Sequence, residues 1–111
     1  MAEIVWIETP LITDASSQVS PGTTQDILNS LNAAAYRLLW LTADIVGGTN
    51  ASLTVTLWLW NGTRYVKTGD VFYLRPGADN LSRHDGGGWF AYEVVAVGSP
   101  TSWSFNIGGQ R

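Results

Sequence analysis

The chain has no cysteine, a single histidine and only six Lys and Arg among its 111 residues. Each shortage excludes something. Without cysteine there is no disulfide framework, no thiolate nucleophile and no cysteine-ligated zinc. Six basic against nine acidic residues give a net charge of −3, so no basic stripe is available to follow a nucleic-acid backbone. Charged residues make up 14%, well below the roughly 25% usual in soluble domains. No apolar run approaches the ~20 residues a membrane helix needs. The opening MAEIVWIETP lacks a basic segment followed by an apolar core, so no signal peptide is expected. Neither nucleic acid nor membrane is expected as a partner. The length fits one domain with a core that needs no staples.

What is abundant is tryptophan, with six residues. The informative stretch is LTVTLWLWNGTRYVK, Leu53–Lys67. Leu53, Val55, Leu57 and Leu59 alternate with Thr54, Thr56, Trp58 and Trp60, the period of a half-buried strand. Asn61-Gly62 favours a two-residue type I′ turn, and Thr63–Lys67 returns as the partner strand. One face of this hairpin is aliphatic. The other carries more aromatic surface than water would leave uncovered without a reason.

Along the rest of the chain, Met1–Pro10 reads as an apolar extended arm lying along the sheet or along a neighbouring subunit, stopped by Pro10. Thr13–Thr24 reads as a loop or irregular edge strand. At most a short helical turn is expected near Gln25–Leu31, then a strand from about Ala35 to Val46. Thr68-Gly69-Asp70 is expected to turn the chain into a short strand, Val71–Leu74. Arg75–Gly88 reads as irregular, Trp89–Val97 as a strong strand, and Ser102–Ile107 as a closing strand with Trp103, Phe105 and Ile107 on one face. The expected core comprises Leu39, Leu41, Leu53, Val55, Leu57, Leu59, Val94, Phe105 and Ile107. The fold class is all-β, a single antiparallel sandwich or jelly roll, with residues 1–24 as N-terminal arm and loop and 25–111 as the sandwich.

Three Asn-X-Ser/Thr triplets begin at Asn50, Asn61 and Asn80. All fall where turns are expected, and turn chemistry accounts for the asparagines. Asp79, Ser82, Arg83, His84 and Asp85 crowd one loop, but their spacing matches no recognised metal or hydrolytic pattern. Gly86-Gly87-Gly88 is not followed by the lysine of a phosphate loop. No catalytic residue, metal site or cofactor is therefore expected. The Trp58 and Trp60 row can be covered by the chain itself, packed against other subunits, or used to stack sugar rings.

Through YRLLWLTADIVGG, LTVTLWLWNGTRYVKTGD and GGGWFAYEVV, the chain resembles small virion structural proteins of tailed bacteriophages, most closely the head decoration (cement) proteins. The likeness is one of size, lack of cysteine and tryptophan-rich strands, with no diagnostic motif. It implies a non-enzymatic protein, made in the host cytoplasm and placed on the capsid surface, that binds major coat subunits as a trimer or other homo-oligomer. The contact residues expected from the residue pattern are Ile4, Trp6, Ile7, Trp58 and Trp60. The rival expectation is a carbohydrate-binding module of a fibre or glycosidase.

Overall fold

Period-two alternation between glycine-marked turns builds the long strands of the described chain. The computed structural model describes residues 4–6, 12–13, 21–27, 29–76 and 82–111. Nine strands lie among them: β1 (Ile4–Trp6), β2 (Ile12–Thr13), β3 (Ser30–Asn32), β4 (Leu38–Val46), β5 (Ser52–Trp60), β6 (Tyr65–Leu74), β7 (Ser82–Asp85), β8 (Trp89–Val97) and β9 (Ser102–Gln110). The first sheet has the order β1-β9-β4-β7, with β2 also on β9, and the second has the order β3-β8-β5-β6. All pairings are antiparallel. The expected all-β sandwich is what forms.

The inward rows of the two sheets make one core. Leu39, Leu41 and Ala43 of β4 stand beside Gly109, Ile107 and Phe105 of β9. Val55 and Leu57 of β5 stand beside Val94 and Tyr92 of β8. All of these except Gly109 belong to a single buried cluster with Leu53, Leu74, Phe90 and Trp103. At roughly 25 cal/mol per Å² of apolar surface, this cluster is the main source of stability.

Three local expectations are corrected, while the limit of at most a short turn near Gln25–Leu31 and the approximate bounds of the strand ending at Val46 stand. No helix occurs among the described residues. Instead, the Ser30 amide donates to the Ile27 carbonyl (3.1 Å) and the Ser30 hydroxyl bonds the same carbonyl (2.8 Å). That turn delivers Ser30–Asn32 to the edge of β8, and sheet pairing overrides the weak helical stripe. β4 begins at Leu38. The Asn61-Gly62 connection is longer than a two-residue turn. Asn61 Oδ1 accepts from the amides of Thr63 and Arg64, both at 2.9 Å, and Trp60 pairs Tyr65. Thr68-Gly69-Asp70 does not separate two strands. It is a bulge within β6, held where the Thr68 hydroxyl donates to the Leu57 carbonyl (3.0 Å). Finally, Ser82–Asp85 is a strand within the expected irregular stretch, because β4 supplies its partners from Leu38 to Leu41.

The end of β9 shows why its last residues are small. Tyr36 lies over Gly109, where a Cβ would sit well inside van der Waals distance of the ring. Gly109→Val is expected to cost about 1–3 kcal/mol through this collision. Gly22→Ala, with open space around it, should stay within about 0.5 kcal/mol of the parent. Urea unfolding midpoints at constant slope measure both.

Candidate functional site

Two places stand out, the outer face of the second sheet and a cleft at one end of the sandwich. On the outer face, Thr54, Thr56, Trp58 and Trp60 of β5 are all half-buried. Thr54 is flanked by Tyr73 of β6 and Val95 of β8, and Thr56 by Val71 and Glu93. Tyr73 is 69% exposed, Val95 54% and Val97 48%, which makes this end of the face open and apolar.

The tryptophan end is different. Trp58 Nε1 donates to Glu93 Oε1 at 3.3 Å, and Lys67 Nζ lies 5.5 Å from the ring centroid, within cation–π range. Trp60 meets Tyr65 edge-on with centroids 5.0 Å apart. Tyr65 is buried, donating its hydroxyl proton to the Gln25 carbonyl and its amide to the Gly22 carbonyl. Trp58 and Trp60 are thus engaged by their own neighbours, while the most exposed apolar groups sit beside the two threonines. Sequence reasoning passed over Tyr73, Val95 and Val97 because each belongs to an ordinary alternating strand. Placing them together requires the register of β5 with both neighbours.

The other expected contact residues fall elsewhere. Ile4 and Trp6 lie in β1, whose backbone pairs with Gln110 and Gly108 of β9 on the opposite sheet. Ile7 lies outside the described residues, as do Asp79 and Asn80.

The cleft gathers part of the loop cluster that sequence reasoning singled out. His84 stands opposite Leu39 in the pairing of β7 with β4, so both face inward. Its ring lies 5.4 Å from Phe90, 5.5 Å from Phe72 and 6.0 Å from Tyr92, between centroids. His84 Nδ1 is 3.0 Å from the Asp85 carbonyl, and Nε2 is 3.2 Å from the Tyr92 hydroxyl. A carbonyl only accepts, so Nδ1 carries the proton and Nε2 accepts from Tyr92. Burial pushes the imidazole below its usual value of 6.5, against the Asp85 carbonyl and the charges of Asp70 and Asp85, which pull it up.

Around this ring is a cleft of about 740 Å³, with Leu38, Leu57 and Leu59 among its walls and Thr68, Asp70 and Asp85 also lining it. Leu59, expected in the core, is 37% exposed here because the inward row of β5 runs past the cover of the opposite sheet. Among the described residues, no three His, Cys, Asp or Glu side chains converge as a metal cluster would. No protein-family model matches the chain, and no curated protein or solved structure is significantly similar to it.

The lowered His84 value makes a signed prediction. In the window below 6.5 the unfolded chain binds more protons than the folded one, so stability is full above 6.5 and is lost as pH falls through the folded value. Unfolding free energy should therefore decline from about pH 7.5 to about pH 5.5, before the carboxylates titrate. His84→Asn should flatten that decline, read by urea unfolding at each pH.

Proposed function

We propose that this chain is a non-enzymatic structural protein of a bacteriophage particle, a decoration or cement protein that binds coat subunits and stabilises the shell. The observation that carries the reading is the open outer face of the second sheet. There Val71, Tyr73, Val95 and Val97 are exposed around Thr54 and Thr56. The carboxylate opposite Thr56, Glu93, is bonded to Trp58. An apolar, charge-poor surface centred on a tyrosine has the composition of a protein contact. The overall shortage of charge points the same way.

The sugar-binding alternative draws less support from the geometry. A sugar platform built on the tryptophan row needs those ring faces free to stack, and the exposed ring that remains on this face, Tyr73, stands among valines. Lys67 lies over Trp58, and Trp60 is packed against Tyr65. The contact surface accordingly shifts from the two tryptophans towards Tyr73 and the valines.

The test is co-sedimentation of the protein with shells assembled from the coat protein of the same phage, paired with light scattering of the free protein. The parent should bind shells saturably. Tyr73→Lys with Val95→Lys, both at exposed positions that leave the core intact, should weaken binding by at least about tenfold, or roughly 1.4 kcal/mol. The same pair should dissociate any homo-oligomer the parent forms. Equal shell binding by parent and variant would remove this face from the contact, and absence of shell binding by the parent would overturn the cement reading.

A further inference from the structure

The cleft around His84 combines three features that the proposed contact face does not use. Its floor is apolar and aromatic, with Leu57, Leu59, Phe72 and Phe90 lining it. Leu59 belongs to an inward-pointing row yet remains 37% exposed, so the folded chain leaves apolar surface here uncovered. Two carboxylates, Asp70 from the β6 bulge and Asp85 from the end of β7, line the same opening, and no Lys or Arg among the described residues does so. Its volume of about 740 Å³ falls within the ~300–1,000 Å³ of small-molecule clefts.

We infer that this cleft is a binding site for a small organic cation, an amine carried on an aromatic or aliphatic body. The charge pattern selects the sign. An anion would meet two carboxylates with no lining base to offset them, whereas an ammonium gains from both. The apolar body would cover Leu59 and rest against the rings of Phe72 and Phe90, and ring faces attract cations. His84 contributes as the neutral tautomer. Its Nδ1–H is committed to the Asp85 carbonyl and its Nε2 to the Tyr92 hydroxyl, so it presents a ring and no charge. The Thr68 hydroxyl is committed within the bulge, donating to the Leu57 carbonyl and accepting from the Asp70 amide. Binding requires no covalent step.

The chain carries one histidine, so the imidazole C–H resonances of His84 give an unambiguous reporter. The experiment titrates the full chain with phenethylamine at pH 7.5, at constant ionic strength, while following those resonances. A saturable shift at millimolar or lower concentration is expected. Phenylacetate, with the same ring and the opposite charge, should bind at least about tenfold more weakly, as should benzyl alcohol. Asp70→Asn and Asp85→Asn, made singly, should each weaken phenethylamine binding several-fold. Two-dimensional amide spectra establish that each variant is folded, and a variant that fails this check is replaced by the salt dependence of the parent's affinity. Three outcomes overturn the inference: no saturable shift, equal affinity for phenylacetate, or affinity unchanged in both folded variants and insensitive to salt. None of these outcomes bears on shell binding, so the two readings fail separately.

Discussion

A phenol in the middle of an apolar interlayer is the constraint that organises one end of this molecule. Tyr92 is fully buried between the sheets, packed on Phe105 with centroids 5.4 Å apart. Burial raises the cost of ionising it, so the phenol keeps its proton. A buried hydroxyl left without an acceptor costs about 1–3 kcal/mol, and His84 supplies the acceptor from the opposite sheet. That role holds only for the tautomer fixed by the Asp85 carbonyl. A proton added to Nε2 would turn the acceptor into a donor and strand the hydroxyl proton of Tyr92. The depressed imidazole and the phenol that keeps its proton are both consequences of burial, and one hydrogen bond joins the two groups across the layers.

Holding His84 at that depth dictates the chain that follows it. The Gly86 amide donates to the Arg37 carbonyl at 2.5 Å, and a Cβ at Gly86 would collide with the Tyr36 carbonyl. Gly87 amide then bonds the Ala33 carbonyl at 3.1 Å, while the Ala33 amide bonds the Gly88 carbonyl at 2.7 Å. The triple glycine is thus a tight backbone seam between the entry to β4 and the entry to β8. Close approach removes the side chain at Gly86, whereas Gly87 and Gly88 have open space around them and are glycines because their backbone is left-handed, with φ of +101° and +81°.

How much of this could be read beforehand follows from which forces act locally. The rows of β5, β8 and β9 were legible because alternation is written within each strand, and the buried residues Val55, Val94, Phe105 and Ile107 are where that period puts them. β7 was not legible: Ser-Arg-His-Asp has no apolar period, and it is a strand only because β4 offers four partners. The same reason hid the cleft. Asp70 and His84 are far apart in the chain, and the charge of Asp70 reaches His84 only once β6 and β7 occupy opposite sheets. The tryptophan row was legible as a row, but its exposure was not. Glu93, Lys67 and Tyr65 occupy Trp58 and Trp60 through pairings that no single stretch records.

The β6 bulge ties the two sites together through parity. Opposite the two-residue step from Thr56 to Trp58, β6 advances four residues, from Val71 back to Lys67. Two additional residues leave the alternation unchanged on both sides of the bulge. Val71 and Tyr73 therefore keep to the outer face in register with Lys67, while Phe72 between them turns inward to the cleft. A bulge of one residue would have exchanged the two rows, since each single-residue shift sends every side chain to the other face. Phe72 would then lie in water and Tyr73 in the cleft. The even insertion lets one strand carry an open contact surface on one side and an apolar wall on the other, and it also brings Asp70 to the mouth of the cleft that the bulge helps to form.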